Sequence, residues 1–215
     1  MKVTKEHINR FIQEAQRVGD ERLQLCSSGN LSWRIGDNIA LVSGTGSWLP
    51  TLTEENIAIC DITTGIKIDG PKPSMESGFH LGILRERTDM NVVLHFQSKY
   101  ATTISCMKHK PSSFNVIAEV PAYCGKEIGR IPYFRPGSKE LAEAMTEAFK
   151  YHDTVLMSQH GQAVCGKDFN DAFQKAVFFE LACSIIVHAG TDNYLVFTDE
   201  EIEDLEIYVL GKTKK

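Results

Sequence analysis

NVVLHFQSKYAT, residues 91–102, is the stretch on which the reading of this chain turns. The apolar run Val92-Val93-Leu94 ends in His95, Phe96 and Gln97, and a helix-like segment begins at Ser98. In a strand, residues i and i+2 point to the same face. His95 and Gln97 therefore converge on one spot at the end of a strand that reads as buried. They form either a satisfied polar corner of the core or two ligands of something.

The pattern around this strand predicts the architecture. Ile8, Phe11, Ile12, Ala15 and Val18 recur at helical spacing behind a cap at Thr4. Residues 31–43 alternate about Gly36-Asp37-Asn38, a hairpin signal, and NIAICDI with GIKIDG forms a second strand pair. Ser74 is placed to cap a helix with Met75, Phe79, Ile83 and Leu84 on one side. IPYF reads as a brief strand, Ser138 as the cap of the ELAEAMTEAFKYH helix, and TVLMSQHGQAVCG as two strands meeting at His160-Gly161. A long helix from about Asp168 to His188 follows, and TDEEIEDLEIYVL is one more. Short, mostly hairpin-linked strands among helices predict an α/β fold. The expectation is one domain over residues 1–215, an α/β/α sandwich with a largely antiparallel central sheet.

The formal net charge is −5 with no basic block, which disfavours nucleic acid and anionic membranes as partners but leaves room for a small anion. No apolar run approaches the ~18 residues of a membrane span. The N-terminal segment lacks the apolar region of a secretion signal. The six cysteines are scattered without a CxxC pair, so free thiols and a cytoplasmic location are expected.

Four features carry chemistry. SSGNLS (27–32) and SGTGSW (43–48) are loops rich in small residues whose amide groups can cradle a phosphate; each alone is equally a connecting loop. In PSMESGFH (73–80), Ser74 and Glu76 fall in a first helical turn, where free amides favour an anion. Glu76 there is equally a capping carboxylate. His80, one turn on, reads as a core histidine or one behind the site rather than as a ligand. His95 with Gln97, and His160 with Gly161, each follow an apolar strand, and with a nearby carboxylate they resemble a metal shell with an open position.

Together these features resemble the class II aldolase/adducin family. GNLS (29–32), TG (45–46), PSME (73–76), VVLHFQS (92–98), FRPGSKELAE (134–143) and LMSQHG (156–161) match its motifs in order. The glutamate in PSME points to the branch that cleaves L-fuculose 1-phosphate, because the pentose-phosphate 4-epimerases have Asp there. The resemblance implies that Gly29, Asn30, Thr45, Gly46 and Ser74 hold a substrate phosphate. His95, position 97 and His160 would bind a metal, expected to be Zn²⁺. Glu76 would transfer the proton and touch the metal when substrate is absent.

The implied reaction is cleavage of a ketose 1-phosphate to dihydroxyacetone phosphate and an aldehyde, L-lactaldehyde for L-fuculose 1-phosphate. A divalent metal would stabilise the charge that develops. The implied assembly is a homotetramer with active sites between subunits. Alternatives are a dehydratase, decarboxylase or 4-epimerase on a sugar phosphate, or a silent scaffold with the same fold. The sequence departs from the family at Gln97, which replaces the second histidine of His-x-His, and at Met75, which replaces a serine. Gln97 leaves another divalent metal open, since an amide oxygen is a harder donor than imidazole. Tyr208 is the nearest candidate for the tail tyrosine that the aldolases use, and its role stays open.

Overall fold

The computed structural model describes residues 2–190 and 193–211. Eight strands join in one sheet: β1 (Asn30–Arg34), β2 (Ile39–Ser43), β3 (Ile57–Asp61), β4 (Lys67–Asp69), β5 (Val92–Phe96), β6 (Gly129–Ile131), β7 (Thr154–Met157) and β8 (Gly161–Gly166). Their order across the sheet is β4-β3-β2-β1-β5-β8-β7-β6. Every pairing is antiparallel except that of β6 with β7. The expected α/β architecture with a largely antiparallel sheet is what forms.

Two packed layers cover the sheet. Helices α1 (Lys5–Asp20), α3 (Lys99–Ser105) and α5 (Phe169–Ala189) lie on one face, and α2 (Ser77–Glu86) and α4 (Lys139–Ala148) on the other. A last helix, α6 (Asp199–Leu210), packs on the Val120–Cys124 segment. Capping sets several helix starts. Thr4, Ser138, Asp168 and Thr198 each accept a hydrogen bond from the backbone two or three residues on.

The two-residue period of the strands assigns side chains to these layers. In β5, Val92, Leu94 and Phe96 join the core under α1 and α5, while Val93 joins the core under α2 and α4. His95 takes the same face as Val93 and so looks towards α2. In β1, Leu31 faces α1, which turns Asn30 and Ser32 towards α2. The β1–β5 register pairs Asn30 with His95, so these two residues stand side by side.

Some expectations shift. β6 ends at Ile131, because Pro132 has no N–H for a ladder. Helix α2 starts at Ser77 with Glu76 as its N-cap, and Ser74 accepts from the Glu76 amide one turn earlier. Met75 is 61% exposed rather than inward. Among the described residues α5 alone is long and apolar enough to cross a bilayer. Its Phe173, Ala176, Phe179, Cys183 and Ile186 are buried, and its Lys175 binds Asp153 and Asp171 at 3.0 Å each, as in a core helix.

The turn after β5 is fastened from beneath by Glu180 of α5. Its carboxylate accepts from Ser98 Oγ at 2.6 Å, the Tyr100 amide at 2.8 Å and the Ala101 amide at 2.9 Å. Ser98 Oγ in turn accepts from Gln162 Nε2. Glu180 thus supplies the cap that the Ser98 side chain does not give α3. Glu180→Ala is expected to cost about 2 kcal/mol in urea unfolding, as charge-assisted bonds to an ion-capped helix end are lost. An unchanged urea midpoint would show that these bonds contribute nothing net.

Candidate active site

Three chain segments meet at the α2 face of the sheet. Glu76 comes from the N-cap of α2, His95 from the end of β5, and His160 from the residue before β8. All three are buried, and one ligand atom from each lies within 4.8 Å of the others. Glu76 Oε2 is 3.4 Å from His95 Nε2, and Glu76 Oε1 is 3.2 Å from His160 Nε2. The two imidazoles meet edge to face with ring centroids 4.9 Å apart.

Glycine makes this convergence possible. Gly161 has φ +151°, and a Cβ there would stand 2.9 Å from both Gln97 Cγ and the Phe96 carbonyl, and 3.5 Å from His95 Cε1. Only a residue without a side chain lets the start of β8 pass so close to the end of β5. Gln159 just before it sits at φ +54°, which completes the sharp turn that presents His160.

The hydrogen bonds fix which atoms are free. His95 Nδ1 lies 2.9 Å from the Gln162 carbonyl, which only accepts, so Nδ1 carries the proton. The Nε2 atom is the one turned towards Glu76. Burial, and then the neighbouring His95, push the His160 pKa down to about 4, with Glu76 opposing in part, so His160 is neutral at pH 7. Glu76 Oε1 has no hydrogen-bond partner despite its approach to His160, and His160 Nδ1 also lacks one among the described residues. No hydrogen bond joins the carboxylate to either imidazole, and the three groups converge as a shared cation would require. Two imidazoles and a carboxylate suit zinc and other divalent first-row metals. A backbone carbonyl behind His95 is the usual support for such a ligand. A divalent cation fits these residues.

Behind Glu76 runs a buried polar chain. Asn30 Nδ2 donates to Glu76 Oε2 at 2.9 Å, Asn30 Oδ1 meets His80 Nε2, and Ser32 Oγ lies 2.8 Å from His80 Nδ1. Burial, and then the nearby His95, lower the His80 pKa to about 3, so it stays neutral. Asn30, expected among the phosphate donors, here gives one N–H to Glu76 and its oxygen to His80.

The loops expected to hold phosphate do come together, around Ser43. Ser43 Oγ accepts from the Leu31 amide at 3.1 Å and the Ser43 carbonyl accepts from the Ser74 amide at 2.9 Å. Thr45 N donates to the Lys72 carbonyl at 3.0 Å, which ties the SGTG loop to the segment before PSME. Gly46, at φ +72°, faces open space, and Thr45 beside it is exposed. Gly29 abuts the His95 carbonyl, where a Cβ would come within 2.9 Å. Tyr208 is 89% exposed on α6.

The profile described as Class II Aldolase and Adducin N-terminal domain matches residues 9–187. The chain belongs to the class II aldolase/adducin family. Over 182 residues, 83% of this chain and 86% of the relative, it is 32% identical to a 3-oxo-tetronate 4-phosphate decarboxylase of Haemophilus influenzae. Over 173 residues, 80% of this chain and 92% of the relative, it is 34% identical to an L-fuculose phosphate aldolase of Methanococcus maripaludis. The crystal structure of YgbL from Escherichia coli superposes with a TM-score of 0.87 at 27% identity, over 95% of this chain and 99% of that one. This family is metal-dependent, which agrees with the Glu76, His95 and His160 cluster.

Gln97 stands one residue beyond β5, half-buried, with its stem against Gly161. As a ligand beside two imidazoles, its amide oxygen would weaken preference for zinc and improve the standing of Mn²⁺ or Mg²⁺. Gln97→His is therefore expected to raise zinc affinity at least about tenfold over wild type, the scale of tuning by groups at metal sites. Chelator competition checks this; equal zinc affinity in the two forms removes Gln97 from the ligand set.

Proposed function

We propose that this chain is a divalent-metal-dependent lyase that breaks a carbon–carbon bond in a phosphorylated sugar or sugar acid. The observation that carries the reading is the buried Glu76, whose carboxylate oxygens face His160 and His95, with Oε1 unpartnered among the described residues, beside loops able to bind phosphate.

The two activities named for its relatives share one product fragment. Loss of CO₂ from a 3-oxo-tetronate 4-phosphate leaves, by atom balance, the enediolate of dihydroxyacetone phosphate. Retro-aldol cleavage of L-fuculose 1-phosphate, with loss of L-lactaldehyde, leaves the same enediolate. Protonation at the same hydroxymethyl carbon completes either reaction, and Glu76, once it has taken a proton from the cleaving hydroxyl or from water, is placed to deliver it through Oε1. A metal held by His95, His160 and Glu76, with Gln97 alongside, would supply Lewis-acid stabilisation of the developing charge. The amides and hydroxyls of Gly29, Thr45, Gly46 and Ser74 hold the phosphate, which fixes the reacting carbon relative to Glu76. Decarboxylation is the first reading, supported by the decarboxylase relative, 32% identical over 83% of this chain. Aldol cleavage is the second, supported by the aldolase relative at 34% identity.

The remaining expectations join this reading. The chain works as one domain in the cytoplasm, where such substrates occur. It assembles as a homotetramer with sites between subunits; exposed Trp48 and Met75, adjacent in sequence to Ser47 and Glu76, offer apolar surface for that contact.

Metal-loaded protein is expected to release dihydroxyacetone phosphate from one of the two substrates, with CO₂ or L-lactaldehyde as the second product. In D₂O that product carries one deuterium at the hydroxymethyl carbon. Glu76→Gln lowers turnover about 10²–10⁴-fold, the usual range for a general acid–base group. Thr45→Ala raises KM for the phosphorylated substrate about tenfold, as loss of one bond to a charged group would. Release of dihydroxyacetone phosphate from neither substrate, with any divalent metal supplied, overturns the proposal.

A further inference from the structure

We infer that Asn30 and His80 are positioning residues for Glu76, and that one N–H of the Asn30 amide serves the carboxylate. The kinetic consequence rests on the lyase reading; the hydrogen-bond order and the metal affinity do not.

The order follows from donors and acceptors. Glu76 Oε2 only accepts, so the Asn30 NH₂ faces it at 2.9 Å and Asn30 Oδ1 must face His80. That oxygen only accepts, so His80 Nε2 carries the proton. His80 Nδ1 then accepts, and the Ser32 hydroxyl donates to it across 2.8 Å. Reversing the amide would set its oxygen against the carboxylate. Every link thus has one direction, and His80 is fully buried.

Two matching repeats hold the chain in place. Asn30 and Ser32 are two residues apart on β1, about 6.7 Å along a strand. Glu76 and His80 are four apart at the start of α2, about 6 Å along a helix. The strand therefore meets the helix at two heights, and the stacking of His80 on Phe79, with centroids 4.6 Å apart, fixes the ring. With Oε2 held by Asn30, the carboxylate cannot rotate. Oε1 stays turned towards His160, where it can meet a cation or a substrate carbon.

The test reads kinetics, metal affinity and the wild-type tautomer. Asn30→Ala and His80→Phe are expected to lower kcat about 10–100-fold and to weaken Mn²⁺ binding about tenfold, with KM changed less than about twofold in His80→Phe. His80→Gln, whose side-chain amide can still donate to Asn30, should recover most of both. If the larger changes prevent folding, Ser32→Ala removes only the far end of the chain and should give smaller losses in the same direction. Nitrogen NMR of the metal-free wild type should show His80 with its proton on Nε2. The inference is overturned if His80 carries its proton on Nδ1. It is also overturned if Asn30→Ala raises KM and weakens competition by inorganic phosphate while kcat and Mn²⁺ affinity hold. If the wild type proves to have no lyase activity, the tautomer and Mn²⁺ affinity still decide the role of Asn30 and His80.

Discussion

A buried carboxylate gathered against two imidazoles calls for a positive charge among them, and this constraint organises the structure around Glu76. The carboxylate lies 3.4 Å from His95 Nε2 and 3.2 Å from His160 Nε2. Burial, and then the neighbouring His95, keep His160 neutral at pH 7, so it brings no charge of its own to the carboxylate. Desolvation disfavours an isolated charge, whereas a shared divalent cation satisfies all three groups at once. A helix N-cap and the ends of two neighbouring strands supply these groups from distant parts of the sequence.

The sheet divides the labour between its faces. Towards α2 and α4, alternate residues of β1 and β5 present Asn30, Ser32 and His95, and the chemistry is gathered there. The opposite face supplies rigidity: Leu31, Leu94 and Phe96 pack under α1 and α5, and Gln162, Ser98 and Glu180 tie down the turn after β5. A one-residue slip between β1 and β5 would bring the wrong face forward, turning Leu31 towards α2 in place of Asn30. Precise placement of the ligands therefore depends on apolar contacts made on the far side of the sheet.

Much of this was legible in the sequence, for physical reasons that differ by element. The 31–43 hairpin and the long α5 helix follow from hydrophobic period, and Thr4 and Ser138 mark helix starts because their side chains can cap. Glu76, His95 and His160 were marked by motif and by the strand period. The partner of Asn30 was not legible: an Asn after glycine reads as a phosphate donor until the register places it beside His95. Ser43, Ser98, Gln162 and Glu180 were missed as supports, because a buried polar residue announces its partner only in three dimensions. Met75 at the head of PSMES fits a helical face on paper. It is exposed because α2 begins two residues later, at Ser77.

The central claim is that Glu76, His95 and His160 hold one divalent cation. Crystals grown with Mn²⁺ and measured for its anomalous signal test this directly. The account predicts a single strong peak among Glu76, His95 Nε2 and His160 Nε2, at bond lengths of about 2.0–2.2 Å. A map without a peak there, with the three side chains still gathered around Glu76, would contradict it.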